Sequence, residues 1–255
     1  MTTRSDRYAE IQAALNSVRD RVRVACESAG RAEDDVTLLP VTKFFPASDV
    51  RILYDLGCRE FGESREQEAS VKVDELAEQF ASSPAQWHMI GHVQRNKATS
   101  IARWATSIHS VDSDRLVDAL QKAVGRAFDD GARSSELEVL LQVSLDGDVH
   151  RGGVPREDLA ALAERVSDAQ HLTLAGLMAV PPLGTDPDAA FADLAEIRRG
   201  VLEQHPEATQ LSAGMTGDLE AAVRHGSTCV RVGTAILGSR PIASPVQSTD
   251  HISHN

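Results

Sequence analysis

The chain has 255 residues, 42% of them hydrophobic and 25% charged, enough to bury a full core in one α/β barrel or in two smaller domains. A formal net charge of −12 opposes a general nucleic-acid or anionic-membrane surface, and no run of Lys and Arg offsets it. Cys26, Cys58 and Cys229 stand far apart, without a Cys-x-x-Cys pair or a His-rich neighbour, which indicates buried small hydrophobes rather than a disulfide framework or a zinc site.

The N-terminus enters a charged pattern that lacks the apolar centre of a signal peptide, and no stretch approaches the ~20 apolar residues of a membrane span. A cytoplasmic protein without membrane contact is therefore expected. Ile11, Leu15, Val18, Val22 and Val24 recur at near-helical spacing among charges, so the first segment reads as an amphipathic helix laid on the body. The first strand is expected over 36–42, an apolar run bounded by Asp34-Asp35 and Pro46 and suited to burial on both faces. Further strands are expected at 60–62, 86–90, 107–111, 137–145, 172–180, 209–212 and 229–232. Helical patterns fall between them at 48–56, 65–80, 113–128, 155–169, 188–203 and 217–225, several with Asp, Ser or Pro placed to cap a first turn. The polar block Gln94-Arg95-Asn96-Lys97 reads as a further helix start. Alternation of this kind implies parallel pairing, and eight units over about 200–250 residues match a single (β/α)8 TIM-type barrel, here with an extra N-terminal helix. The barrel is expected over residues 1–240. The Pro-, Ser- and Thr-rich stretch 241–255 is expected to be a flexible tail.

Lys43 closes the first strand at the end where α/β folds bind ligands, and a partly desolvated lysine there can attack a carbonyl to form a Schiff base. The same residue type serves equally as a surface charge, and alone it does not choose. The loops after the last two strands carry the second half of the argument. Ser212-Ala213-Gly214-Met215-Thr216-Gly217-Asp218 offers glycines, hydroxyls and a following helix, and Arg231-Val232-Gly233-Thr234-Ala235 again places Gly and Thr where a barrel holds phosphate. A Schiff-base lysine beside a phosphate cradle is the pair of functions that holds pyridoxal 5′-phosphate (PLP). His88 and His92 lie around a strand end with no carboxylate or cysteine at ligand spacing, so no metal site is expected, and His88 reads as a core residue bonded to backbone.

Several blocks together resemble the pyridoxal phosphate homeostasis protein family: Val41-Thr42-Lys43, Phe61-Gly62-Glu63, Trp87-His88-Met89-Ile90-Gly91-His92-Val93-Gln94, His109-Ser110-Val111-Asp112, and the run from Gly214-Met215-Thr216-Gly217-Asp218-Leu219-Glu220-Ala221-Ala222 to Arg231-Val232-Gly233-Thr234. The likeness spans roughly 36–238. It implies a fold-type III barrel, similar to the N-terminal domain of alanine racemase, that holds PLP as an internal aldimine on Lys43 for intracellular PLP homeostasis without evident turnover. It further implies that Arg231 faces the pyridine nitrogen, that Ser212, Gly233 and Thr234 hold the phosphate, and that Met178, Met215 and Ser64 line the cofactor. Met178 and a simple core filler are indistinguishable at this level. Implied partners are PLP itself and PLP-dependent apo-enzymes, with the chain a monomer.

Two positions depart from the family pattern. Ser64 stands where an Asn commonly follows Phe-Gly-Glu, and Ser144 where the strand commonly ends in Asn, so a water is expected between these shorter side chains and the cofactor. The lysine-rich flank of the family is replaced here by Phe44-Phe45. A PLP-dependent amino-acid racemase is the alternative reading, but it needs a second acid/base group opposite Lys43. The only tyrosines, Tyr8 and Tyr54, fall in expected helices early in the chain, and the second domain that supplies such a tyrosine in racemases is not expected in these residues. A Schiff-base aldolase acting on a sugar phosphate would use the same lysine and loops without a chromophore.

Overall fold

Short runs of β-branched and aliphatic residues, each too brief to bury a helix face, form eight strands in a computed structural model that describes residues 4–148 and 151–239. They are β1 (Thr37–Pro40), β2 (Glu60–Glu63), β3 (Gln86–Met89), β4 (Ser107–Val111), β5 (Leu137–Gln142), β6 (Leu172–Met178), β7 (Gln210–Ser212) and β8 (Cys229–Val232). All ladders are parallel, in the order β1-β8-β7-β6-β5-β4-β3-β2. The ring closes just beyond β1, where Val41 bridges Gly62 in parallel and the Thr42 N–H donates to the Gly62 carbonyl at 2.9 Å. The observed architecture is thus the (β/α)8 barrel. β4, β7 and β8 end where their apolar runs suggest and β2 one residue later, whereas β1, β3, β5 and β6 end one to three residues earlier, as where Val143, Leu145, Ala179 and Val180 remain apolar while leaving the ladder for the loops.

The helices are α1 (Arg4–Ser28), α2 (Ala47–Asp55), α3 (Glu66–Phe80), α4 (Ala98–Trp104), α5 (Asp114–Asp129), α6 (Leu159–Ser167), α7 (Pro187–Gln204), α8 (Leu219–Arg224) and α9 (Thr234–Leu237). α7 starts as its sequence dictates, with the Asp186 carboxylate accepting the Asp188 N–H ahead of Pro187. The polar block before α4 is a 3₁₀ turn at Arg95–Lys97. α1 lies outside the β/α alternation and buries Ile11, Leu15, Val18 and Val22 against the body. Val24 is 50% exposed, since two residues past Val22 is a rotation of about 200° around the helix. Arg7 ties α1 down, donating to the Asp49 carboxylate at 2.6 Å and to the Leu237 carbonyl at 2.9 Å.

Most of the apolar core lies between sheet and helices, in two large clusters. A third small cluster, Leu140, Ala175 and Met178, sits on β5 and β6. The register shifts in β6 at Gly176, whose φ is +154 and where a Cβ would stand 1.9 Å from the Gln210 carbonyl oxygen. The three cysteines are buried and free. No helix among the described residues is long and apolar enough to cross a membrane. The tail expected at 241–255 lies outside the described residues.

Candidate functional site at the carboxyl end of the barrel

Lys43 lies three residues past β1, half-buried at the carboxyl end of the barrel, and the next residue, Phe44, holds a positive φ of 69. A phenylalanine in that region costs energy and persists only where its surroundings impose it. Here they do. The Phe44 N–H donates to a carboxylate oxygen of Glu68, and the Arg65 guanidinium lies 4.6 Å from the Phe44 ring centroid. On the other side of Lys43, the Thr42 hydroxyl donates to Glu63 Oε1 at 2.6 Å and the Thr42 carbonyl accepts from Lys72 Nζ at 2.8 Å. Lys72 also donates to Glu63 and Glu68 at 2.8 and 3.0 Å, so one buried ammonium joins the hydrogen-bonding groups that grip the residues flanking Lys43. Burial raises the Glu63 carboxyl above its ordinary range, and Lys72 offsets only part of that rise.

Arg231 sits on β8, in register with Leu39 of β1, the strand that Lys43 follows. It is 5% exposed, and its guanidinium donates to Ser212 Oγ at 2.6 Å and to the Ala179 carbonyl at 3.1 Å. Among the described residues, the ion pairs include none to Arg231. Burial lowers it from the usual arginine range, with only partial compensation from Cys229 and Asp218. Ser212 is fully buried, its hydroxyl engaged by Arg231 and lying 2.9 Å from His109 Nδ1.

Two loops frame the rim. After β7, Gly214 holds φ +93 with space for no side chain, since a Cβ would lie 2.6 Å from Ala222 Cβ, and the Met215 N–H donates to Asp218 Oδ1 at 2.6 Å. After β8, Gly233 packs against Val41, a Cβ there meeting its carbonyl at 3.2 Å, and Thr234 opens α9. The first N–H groups of that short helix have no partner within it and face the same end of the barrel. Thr234 and Met215 are exposed.

The remaining sequence candidates scatter. Ser64 lines a neighbouring cleft of about 530 Å³ together with Arg65, Glu68, Met89, His92 and Lys97. Met178 is buried in the cluster with Leu140 and Ala175. Ser144 accepts the Gly147 N–H at 3.0 Å within its own turn. His88 is a core residue, but its ring meets His109 at 3.1 Å and not the backbone as the sequence suggests; β3 and β4 are adjacent and both rings point inward. Sequence reasoning also missed Lys72 and Glu68, for which the four-residue spacing on α3 was the available signal.

The family described as alanine racemase, N-terminal domain, matches residues 14–241. The pyridoxal phosphate homeostasis protein of Mycobacterium tuberculosis (strain ATCC 25618 / H37Rv) is 52% identical over 249 residues, covering 94% of this chain and 96% of its own length. That of Corynebacterium glutamicum is 48% identical, covering 88% of this chain and 99% of its own. Among solved structures, PipY of Synechococcus elongatus PCC7942 with PLP bound superposes with a TM-score of 0.76 at 33% identity, covering 89% of this chain and all of PipY. With the match spanning the whole barrel, the chain belongs to the alanine racemase N-terminal domain family and, within it, to the pyridoxal phosphate homeostasis proteins.

Proposed function

We propose that this protein binds PLP covalently through Lys43 and serves PLP homeostasis, holding a reactive aldehyde and releasing it to PLP-dependent apo-enzymes, without a reaction of its own. The observation that carries the reading is Arg231: a guanidinium 5% exposed whose described partners are one hydroxyl and one carbonyl. Burying a cation without a carboxylate is costly, and its presence on the strand beside Lys43 marks a place kept for an acceptor. The pyridine nitrogen of PLP is such an acceptor. The N–H groups at Gly233 and Thr234 supply donors suited to its phosphate. When bound, PLP supplies an aldehyde that condenses with amines and a ring that draws electrons from them.

In this reading Lys43 presents the amine, and the grip of Lys72, Glu63 and Glu68 on Thr42 and Phe44 sets its direction. Arg231 keeps the ring nitrogen unprotonated, because it does not give up its own proton, and so weakens the electron sink that turnover requires. Ser212 serves through Arg231, its hydroxyl being occupied below the rim. Met178, packed with Leu140 and Ala175, and Ser64, in the neighbouring cleft, are left outside the direct contacts of this reading. Of the two tyrosines, Tyr54 stacks on Phe80 at 3.9 Å and donates to the Ser83 carbonyl, and Tyr8 packs on the outer core cluster, so neither is offered to the face opposite Lys43. Three buried free thiols suit a reducing, cytoplasmic compartment, and we take the working unit to be a monomer.

Visible absorption with added PLP tests this for the native chain and Lys43→Ala. A yellow band in the native protein that is lost in the variant supports the reading. Absence of the band in the native protein sinks it, and lysine-dependent exchange of an amino-acid α-proton would replace homeostasis with racemase activity.

A further inference from the structure

β4 and β7 are not neighbours in the sheet, so the contact of His109 with Ser212 crosses the barrel interior. It belongs to a longer chain of polar side chains. Arg231 Nη1 donates to Ser212 Oγ at 2.6 Å, Ser212 Oγ lies 2.9 Å from His109 Nδ1, and His109 Nε2 lies 3.1 Å from His88 Nδ1. At the far end His88 Nε2 stands 3.3 Å from Glu60 Oε2, within ion-pair reach though off line for a hydrogen bond. Glu60 opens β2 at the opposite end of the barrel, and the other four members are at most 6% exposed.

A neutral imidazole has one donor nitrogen and one acceptor, so such a chain runs in a single direction. Its two ends choose the direction, because a guanidinium only donates and a carboxylate only accepts. Arg231 fills one lone pair of Ser212. The serine proton then goes to His109 Nδ1, His109 Nε2–H to His88 Nδ1, and His88 Nε2–H faces Glu60. Burial, with His88 and Arg231 close by, holds His109 well below the ordinary histidine range and hence neutral, as the chain requires. The reverse direction would aim a bare His88 lone pair at the Glu60 carboxylate and leave the Ser212 proton to the Cys229 thiol, the adjacent weak acceptor.

We propose that His109 and His88 are positioning residues for Arg231: the one-way chain ending at Glu60 fixes the Ser212 lone pair on the guanidinium and so aims its remaining N–H groups at an acceptor nitrogen in the barrel mouth. This rests on the PLP reading above for the identity of that acceptor. Outer partners of a ligand-holding group are worth about tenfold or more in affinity when removed.

The test has two arms. In the full chain labelled with ¹⁵N-histidine, with and without PLP, long-range proton–nitrogen NMR reads the tautomers directly. Protonation at Nε2 in both rings is expected; Nδ1–H in either, or a doubly protonated His109 at neutral pH, overturns the chain. In PLP titrations, His109→Leu should weaken binding about tenfold and move the visible band, whereas His109→Gln, which can accept from Ser212 and donate to His88, should stay within about threefold of native. Equal behaviour of the two variants, whether impaired or native-like, reduces His109 to filling space and overturns the proposal. A native chain that takes up no PLP defeats the cofactor reading instead, while the tautomers still decide the chain. Should His109→Leu fail to fold, the NMR arm carries the decision alone.

Discussion

At the scale of the residue, the buried Glu63–Lys72 pair is where the barrel is most vulnerable to a single change. Glu63 is 0% exposed and its Oε2 has no hydrogen-bond partner, so Lys72 is its principal compensation. Lys72→Met should destabilise the fold by about 3–5 kcal/mol, because an uncompensated buried carboxylate costs more than the pair contributes. Adding Glu63→Gln should recover much of that loss, and denaturant unfolding of the single and double variants checks both. His109 makes a prediction about pH. Its folded form is neutral and its protonation is depressed from the ordinary 6.5, so the unfolded chain takes up the proton first as pH falls. The associated stability is complete above the unfolded value and is lost as pH drops below it, until the folded ring itself protonates. One such group gives a slope of at most about 1.4 kcal/mol per pH unit. Unfolding curves across the acid side of neutrality should show a shallower slope in His109→Gln than in the native chain, and identical slopes would remove His109 as the source.

At the scale of the element, α1 was legible in detail because an amphipathic helix on a surface is specified by spacing alone. Ile11, Leu15, Val18 and Val22 at steps of three and four point to one side, and all are at most 3% exposed. Val24 shows where that reading slipped, since an apolar residue out of phase is carried to solvent by the helix however hydrophobic it is. Ile11→Ala should therefore cost about 2–5 kcal/mol by leaving a cavity under the helix. Val24→Ala should stay within about 0.5 kcal/mol of native. Thermal unfolding of the pair, read by circular dichroism, distinguishes a docked helix from a loosely attached one: equal effects would mean the latter. The strands were placed correctly, β4 and β8 to the residue, but β1, β3, β5 and β6 end earlier than expected, because apolar residues continue past the last ladder bond into the loops that shape the rim. Arg95–Lys97 illustrates the opposite limit, a polar turn of one 3₁₀ repeat too short to carry a periodic signal.

At the scale of the whole molecule, eight strands from eight separate runs must close before the site exists. Lys43 just past the first strand and Arg231 on the last stand 188 residues apart in the chain, and the parallel β1–β8 ladder with the Val41–Gly62 bridge brings them to one end of the barrel. A ligand that joins elements from both ends of the chain stabilises the folded state by mass action. With free PLP about a hundredfold above its dissociation constant, the native chain should gain about 2.7 kcal/mol against unfolding, while Lys43→Ala should gain far less. Thermal melts with and without PLP measure it, and equal gains would place the bound PLP away from Lys43.

The sequence by itself determined the alternation of strands and helices, the surface face of α1, the candidate lysine at a strand end and the glycine-bearing turns of the rim, because each is written in local spacing or in a residue type with restricted backbone freedom. Only the tertiary structure decided that Ser212 lies inside the barrel between Arg231 and His109, that His88 meets another histidine and not the backbone, and that Lys72 holds both neighbours of Lys43. The Ser212–His109 contact joins strands that are not adjacent, Lys72 joins a helix to the end of a strand across the outer layer, and the Ser212–Arg231 and His88–His109 pairs depend on the register of neighbouring strands. Their partners are selected by closure of the ring and by the need to satisfy each polar group taken out of water, neither of which leaves a period in the chain.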